Sequence, residues 1–264
     1  MGTEGHKTVI KKSFWTVTKP RTTGKERATL DRVFSKLGIL SRANAAREIE
    51  SGKVTVNGKV IRRPDHWVSL MTDRVHWKGR PIRNQKKVYF MFYKPRGVVT
   101  SYGDPDERKT VYDYLSGIEK WVFPVGRLDM DTSGLLILTN DTEFGDGITR
   151  PGNKVHKTYQ VKVNFLPTSE ELQSLEQGIV FKDGTKTLPA RARILKQGPK
   201  FATLELVLVE GKNRQVRRMI EALGGKVLKL VRTRIGKLNL GDLPVGRYRQ
   251  LSAQDLRLLR EHPE

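Results

Sequence analysis

The stretch GRLDMDTSGLLILTND, residues 126–141, decides how the rest of the chain is interpreted. A polar loop with one arginine and two carboxylates leads directly into four consecutive aliphatic residues, Leu135 to Leu138. An apolar run bounded by turn-forming residues predicts a buried strand, which puts Asp129 on a loop beside a rigid sheet. Binding and catalytic groups often lie on such loops. Asp129 is therefore a candidate catalytic residue, although an Asp in a loop of this composition is more often a turn former.

The same sixteen residues resemble the central motif of the bacterial ribosomal RNA pseudouridine synthases that act on single sites in small- and large-subunit RNA. In that family the aspartate after Arg-Leu is catalytic, so the resemblance implies that Asp129 is the catalytic residue. We assign substrate binding to Arg127, which lies in the same loop. The turn Lys94-Pro95-Arg96-Gly97 resembles another motif of the family, in which this turn supports the active-site loop.

Two later stretches match the family in the expected order. Residues 157–163 alternate strictly, which predicts a half-buried strand and, on periodicity alone, favours Tyr159 as a core residue. Residues 214–224 predict an amphipathic helix with a basic face. The resemblance implies instead that Tyr159 stacks on the target uracil and that Arg217 forms an ion pair with the catalytic aspartate. It further implies that Leu230 packs under the uracil.

A smaller unit is predicted near the amino terminus. Apolar residues at helical spacing from Leu30 predict a first helix, and Ser41 is placed to cap a second. Asn57-Gly58 between two short apolar runs predicts a hairpin. This order of helix, helix and hairpin resembles the RNA-binding domain of the ribosomal protein S-four type. We assign RNA binding to five basic residues of this domain and of the later helix, although they could simply solvate helix faces: Arg42, Arg47, Lys53, Arg214 and Arg218.

The charge of the chain favours a polyanionic partner. Its 50 Lys and Arg against 28 Asp and Glu give a net charge of +22, of which +14 lies in residues 1–87. Such a field attracts nucleic acid. Residues 1–27 are basic and lack apolar periodicity, which predicts a disordered tail that either binds RNA or is merely solvated.

Several function classes are excluded or disfavoured by composition. The chain has no cysteine, which excludes disulfides and any enzyme that attacks a pyrimidine ring with a thiolate. Its five histidines lack metal-ligand spacing, and its glycines lack the spacing of a phosphate-binding loop. We therefore expect no metal and no cofactor. The absence of a long apolar run and of a secretory signal predicts a cytoplasmic protein without a membrane partner.

Together these patterns predict an α+β protein: a disordered tail at 1–27, an S-four type domain and linker at 28–87, and a catalytic domain at 88–264. Many short strands in no regular alternation with helices favour a mostly antiparallel mixed sheet flanked by helices. The predicted activity is the isomerisation of one uridine to pseudouridine in ribosomal RNA, with the large subunit favoured on general likeness. We expect a monomer whose partners are ribosomal RNA or ribosomal assembly intermediates.

Two other functions compete with this prediction. A non-catalytic ribosome-assembly protein would explain the basic small domain, but it does not explain why Asp129, Tyr159 and Arg217 all coincide with motifs of the family. A metal-dependent nuclease could use Asp129, Asp131 and Asp141. The predicted strand at 135–138 disfavours a nuclease, because at about 3.3 Å per residue it separates Asp141 from the other two carboxylates.

Overall fold

The structure is a computed structural model that describes residues 27–261. The predicted tail at 1–27 therefore lies outside the described residues except for Arg27. The helices are α1 Leu30–Lys36, α2 Arg42–Glu50, α3 Thr142–Thr149, α4 Ser169–Gln177, α5 Gln215–Ala222 and α6 Ala253–Leu258, with 3-10 helices at Val111–Tyr114 and Pro151–Asn153. The strands are β1 Ala28–Thr29, β2 Val54–Val56, β3 Lys59–Val60, β4 Trp67–Val68, β5 Val75–Trp77, β6 Arg80–Pro81, β7 Tyr89–Lys94, β8 Phe123–Val125, β9 Ser133–Thr139, β10 Lys157–Val163, β11 Arg191–Gln197, β12 Ala202–Leu208, β13 Val227–Ile235, β14 Leu238–Asn239 and β15 Tyr248–Gln250.

The small domain has the predicted order of two helices and a hairpin. Ser41 caps α2, with its hydroxyl accepting a hydrogen bond from the Asn44 main-chain N–H at 3.1 Å. Asn57 and Gly58 adopt φ values of 52° and 82°, the left-handed conformation that a tight hairpin between β2 and β3 requires. The strands form a sheet in the order β3-β2-β5-β6. Because β6 pairs with β5, the sheet continues to Pro81, within the domain and linker that the sequence predicted at 28–87.

The large domain is built on one sheet with the strand order β11-β12-β10-β13-β9-β7-β15, to which β8 and β14 add at β9 and β13. Pairing in this sheet is antiparallel except between β9 and β13, which are parallel. Apolar clusters cover both faces, with α4 and α5 contributing to one and α3 and α6 to the other. The predicted α+β fold, with a mostly antiparallel mixed sheet, is confirmed.

The close approach of β9 and β13 depends on Gly134. Its φ is 116°, and a Cβ atom at this position would lie 2.2 Å from the main-chain oxygen of Arg232. No other residue type fits so close to a neighbouring backbone without moving it. Gly134 therefore brings β13 against the start of β9, directly after the loop that carries Asp129.

The small domain lies against the large one through polar contacts. The Asn44 side-chain amide donates a hydrogen bond of 2.6 Å to the Tyr102 hydroxyl. The connecting chain is held by Asn140, a fully buried residue that accepts from the Val88 main-chain N–H and donates to the Lys86 main-chain oxygen. These contacts fix the point at which the chain enters the large sheet.

Candidate active site

A buried lysine holds the loop that carries Asp129. The Lys94 ammonium is fully buried and donates hydrogen bonds to the main-chain oxygens of Asp129, Met130 and Thr132 at 3.2, 3.4 and 2.9 Å. It also donates to the Pro95 oxygen at 3.0 Å. One side chain thus replaces the water that these four carbonyl groups would otherwise require.

Burial lowers the pKa of Lys94 to about 8, while the nearby carboxylates of Asp129 and Asp131 act in the opposite direction. The lysine therefore remains protonated at neutral pH. Two further contacts join the turn after β7 to the loop: the Gly97 N–H donates to the Met130 oxygen at 2.8 Å, and the Thr100 hydroxyl donates to the Leu128 oxygen at 2.8 Å. The 94–97 turn therefore contacts the Asp129 loop, as the resemblance implied for this motif.

The loop lies at the mouth of a cavity of about 420 Å³. Five of the predicted site residues line this cavity, namely Arg127, Asp129, Tyr159, Arg214 and Leu230. Tyr159 and Leu230 are 8% and 5% exposed, so each contributes a buried apolar surface to the cavity wall. Arg127 is exposed and Asp129 is half-buried. The structure thus brings together a carboxylate, an aromatic ring and an aliphatic side chain at one cavity.

The register of β10 and β13 explains how these side chains meet. Tyr159 lies opposite Arg232, and Val161 lies opposite Leu230. Residues opposite each other on neighbouring strands project to the same face of the sheet. This part of the cavity wall is therefore built from two adjacent strands of the central sheet, which gives it the rigidity that a binding site needs.

Arg217 has a different partner from the one that the resemblance implied. Its guanidinium donates a hydrogen bond of 3.0 Å to the main-chain oxygen of Asp131, and it forms no direct ion pair with Asp129 in this structure. Burial lowers the pKa of Arg217, and Arg214 adds to this effect, while the Asp131 and Asp129 carboxylates oppose it. Arg217 therefore contacts the main chain of the Asp129 loop, and its charge interacts with the carboxylates of Asp129 and Asp131 without a direct ion pair to Asp129.

Comparison with known proteins identifies the family. Residues 88–222 match the family model described as RNA pseudouridylate synthase, and residues 29–74 match the S4 domain. The chain belongs to the RNA pseudouridylate synthase family. It is therefore an RNA pseudouridine synthase with an RNA-binding S4 domain.

Relatives of this pseudouridine synthase align along most of their length. The chain is 42% identical over 233 residues to the ribosomal large subunit pseudouridine synthase B of Bacillus subtilis, covering 88% of this chain and 95% of the relative. It is 38% identical to an uncharacterized RNA pseudouridine synthase of Aquifex aeolicus, covering 86% of this chain and 91% of the relative. A crystal structure of a pseudouridylate synthase superposes with a TM-score of 0.64 at 29% identity, covering 88% of this chain and 99% of that one.

The synthase holds the cavity wall before α5 in a strained conformation. Arg214 precedes α5 with a φ of 47°, in the left-handed region that non-glycine residues rarely adopt. Next to it, the buried Gln215 side chain donates to Glu210 at 2.7 Å and accepts from the Lys212 main-chain N–H at 2.9 Å. Burial alone would raise the pKa of Glu210, but hydrogen bonds that include one from the Lys212 ammonium outweigh it and lower the pKa. This network fixes the segment that carries Arg214.

Most of the basic residues predicted to bind RNA are also paired within the chain. Arg42 forms an ion pair with Asp31 at 2.6 Å, and Lys53 forms one with Glu48 at 2.9 Å. Arg218 lies outside the residues that line the cavity: it pairs with Asp183 at 2.6 Å and stacks on the Phe181 ring. Arg47 is exposed, and among residues 27–261 it forms no ion pair. Arg47 is therefore the S4-domain residue of this set whose charge is most available to a phosphate.

The carboxylates proposed for a metal-dependent nuclease do not meet. Asp141 caps α3, accepting from the Phe144 main-chain N–H at 3.2 Å, and it also accepts from the Tyr89 hydroxyl at 2.8 Å. In the described part of the chain, no three His, Asp or Glu side chains are arranged to hold a metal ion. Within the same residues, no helix has the length and apolar composition to cross a membrane.

Lys94, Lys157 and Arg232 are polar residues at or beneath the cavity to which sequence reasoning assigned no individual role. Lys157 and Arg232 line the cavity, and Arg232 is only 3% exposed. The strand period could have revealed Arg232, because it lies two residues after Leu230 and so shares its face. The contacts of Lys94 depend on a loop 35 to 38 residues later in the chain, which no local pattern shows.

Proposed function

We propose that this enzyme isomerises one uridine of large-subunit ribosomal RNA to pseudouridine, with Asp129 as its catalytic carboxylate. The observation that carries the proposal is the cavity that Asp129, Tyr159 and Leu230 line together. The similarity to a relative named for the large ribosomal subunit supports the choice of RNA. We further propose that the enzyme acts as a monomer, because the proposed chemistry needs no residue beyond those that line this cavity.

The reaction moves the ribose from N1 to C5 of the same uracil. The glycosidic bond to nitrogen breaks, the uracil turns within the cavity, and a bond to carbon forms. C5 loses a proton and N1 gains one, so product and substrate have the same atoms. The chemistry needs one carboxylate and a cavity that retains the detached ring. Asp129 can supply that carboxylate either as a nucleophile at the sugar or as a base at the neighbouring carbon.

In this proposal the uridine leaves its stack to reach Asp129, because the residues proposed to bind the base lie on the wall of a cavity. Flipping a base costs a few kcal/mol. Stacking on an aromatic ring contributes about 1 to 3 kcal/mol and offsets much of this cost. Tyr159 provides such a ring on the cavity wall, and Leu230 provides an apolar surface on the adjacent strand.

We propose that basic residues on two surfaces bind the RNA, one on the small domain and one beside the cavity. Residues 28–87 contact phosphates through Arg42, Arg47 and Lys53, while Arg214 and Arg218 act beside the catalytic domain's cavity. Arg127 and Arg217 hold the substrate next to Asp129. The proposed division of labour is thus an RNA-binding unit at 28–87 and a catalytic unit at 88–264.

The exposed Arg47 provides a direct test of the RNA-binding unit. We expect Arg47→Gln to weaken RNA binding for all sequences alike and to reduce the slope of log K against log salt concentration by up to about 0.9. Arg257→Gln, which removes an exposed arginine of α6, is the matched control and should leave the slope unchanged. If Arg47→Gln also left the slope unchanged, Arg47 would serve only to solvate the domain.

The proposed substrate can be tested in cells. Pseudouridines are mapped in ribosomal RNA from cells with and without the protein. We expect one large-subunit position to lose its modification when the protein is absent. Loss of a small-subunit position would contradict the choice of subunit, and an unchanged map would contradict the proposed substrate.

A further inference from the structure

Two cations line the cavity without a carboxylate partner. Arg232 donates from Nε to the Leu135 main-chain oxygen at 2.7 Å, while its Nη2 is buried and has no hydrogen-bond partner among residues 27–261. The Lys157 ammonium donates to the Val155 main-chain oxygen at 3.1 Å, and within the described chain it forms no ion pair. Both residues line the same cavity as Asp129.

The register of β10 and β13 places Lys157 and Arg232 on the same side of the sheet, facing the cavity. Lys157 lies two residues before Tyr159 on β10, and Arg232 lies opposite Tyr159 on β13. A bulge between Thr158 and Tyr159 in this ladder leaves both residues on the cavity side. Both cations therefore share a face of the sheet with the ring that we propose stacks on the uracil.

The surroundings of these cations are poorly hydrated. Burial lowers the pKa of Lys157 to about 8, and the nearby charge of Arg232 adds to this effect. At pH 7 Lys157 is therefore still protonated, although its charge is unfavourable in the free enzyme. A buried donor without a partner is destabilising, so such a donor in a cavity is placed for a ligand that supplies the missing acceptor.

We propose that Arg232 and Lys157 bind the carbonyl oxygens of the flipped uracil and stabilise the negative charge that the ring acquires when its bond to ribose breaks. This inference rests on the proposed function. It adds a leaving-group site to the catalytic carboxylate: Asp129 acts on the sugar, and the two cations act on the base.

The electron count of the reaction explains why such a site is useful. When the bond between N1 and C1′ breaks, its electron pair remains with the uracil and is shared between N1, O2 and O4. The sugar receives compensating electron density from Asp129, directly or after the carboxylate removes a C2′ proton. C5 then bonds to C1′ as the bond between C1′ and Asp129 breaks or, on the other route, as Asp129 returns the proton to C2′; C5 loses its proton and N1 gains one. Hydrogen-bond donors fixed at the developing oxyanion lower the barrier most in a site without water.

A phosphate group is a less suitable ligand for these two residues. Arg232 is 3% exposed and lies opposite Tyr159, whose ring faces the base in the proposed complex. The exposed Arg127, at the same cavity, is better placed for a phosphate of the RNA backbone. A phosphate and a uracil ligand also predict different effects of substitution. Loss of a phosphate contact weakens RNA binding and reduces its salt dependence. Loss of a contact to the leaving uracil slows the chemical step.

The test compares single-turnover rates of Lys157→Met and Arg232→Lys with wild type at saturating enzyme. Two RNAs are used, with uridine or 5-fluorouridine at the target position, and breakage of the bond to N1 is measured by chromatography after nuclease digestion. Lys162→Met is the matched control, because Lys162 lies on the same strand but contacts the Phe201 ring and does not line the cavity.

We expect Lys157→Met to slow bond breakage in the uridine RNA by about 100-fold, the usual effect of removing one oxyanion donor, with RNA affinity within about threefold of wild type. The deficit should shrink to less than about tenfold on 5-fluorouridine, because fluorine withdraws charge and makes the ring a better leaving group. Arg232→Lys, which retains the charge, should be slowed less than Lys157→Met. Lys162→Met should match wild type on both RNAs.

Equal deficits on the two RNAs would overturn the inference, and so would an unchanged rate in Lys157→Met. Loss of affinity with a smaller salt dependence would also overturn it, in favour of a phosphate site. A wild-type protein that converts no uridine would instead contradict the proposed function, so the two failures are distinguishable. Circular dichroism and urea unfolding confirm that each variant is folded before its rate is compared.

Discussion

We expect the Asp129→Asn variant to form no detectable pseudouridine while it binds the same RNA within about tenfold of wild type. An amide neither attacks the sugar nor removes a proton from it, so the reaction stops at its first step. The structural cost should be small, because Lys94 holds the Asp129 main-chain oxygen and the carboxylate forms no hydrogen bond or ion pair in the described chain. The release of tritium from C5 of labelled uridine measures turnover.

Asp131→Asn is the matched control for this prediction. Asp131 lies two residues further along the same loop, and its carboxylate is 3.9 Å from the Arg96 guanidinium. The main-chain oxygen of Asp131 accepts a hydrogen bond from Arg217, and the substitution does not change this oxygen. The control should therefore keep most of its activity. Substantial tritium release by Asp129→Asn, or equal losses in both variants, would remove Asp129 from the role of catalytic residue.

The second large effect is expected from substitution of Tyr159, which should change both RNA affinity and the rate of conversion. Tyr159→Ala should weaken RNA binding about 10-fold to 100-fold and slow conversion further, because stacking on an aromatic ring contributes about 1 to 3 kcal/mol per base. Tyr159→Phe keeps the ring and should keep most of the affinity. Affinity is measured by filter binding with the same RNA, and conversion by tritium release.

The alanine variant also needs a control for stability. Tyr159 is 8% exposed and belongs to the main apolar cluster, so truncation leaves a cavity that costs about 3 to 5 kcal/mol, as for other buried aromatics. Urea unfolding therefore precedes the binding measurement, which is made where both proteins are folded. Full affinity in folded Tyr159→Ala would show that Tyr159 is a core residue without a role in base binding.

Local patterns predicted those elements whose structure is fixed by neighbouring residues. Ser41 caps α2 as predicted, since a cap needs only residues three positions apart. Asn57-Gly58 forms the predicted hairpin because its left-handed φ values are available to few other residue pairs. The alternation of residues 157–163 predicted β10 and the face that carries Tyr159.

Elements that depend on distant contacts were not predicted. Helix α3, Thr142–Thr149, was not predicted, because its two internal glycines weaken its helical pattern while Phe144 and Ile148 pack on the sheet. Strand β8 was not predicted either, because it contains Pro124 and is held by pairing with β9. Both α3 and β8 therefore form because of tertiary contacts and not because of their local sequence.

The candidate site shows the same division. The motif residues could be named from the sequence, because the resemblance extends over three separate stretches. The contacts of these residues could not be predicted. Arg217 donates a hydrogen bond to the main-chain oxygen of Asp131, and Lys94 donates to four main-chain oxygens, one in the turn after β7 and three in the Asp129 loop. The partners of long, flexible side chains depend on where the backbone of other segments lies, which a local pattern does not encode.

The most direct test of the central claim uses purified protein, a pre-folded fragment of large-subunit ribosomal RNA and excess EDTA, with no added cofactor. Each uridine is then mapped by carbodiimide-dependent stops in reverse transcription, and the length of the RNA is checked on a gel. We predict that one uridine becomes pseudouridine while the strand remains intact. Absence of conversion in EDTA that is restored by a divalent metal, or cleavage of the strand, would contradict this account.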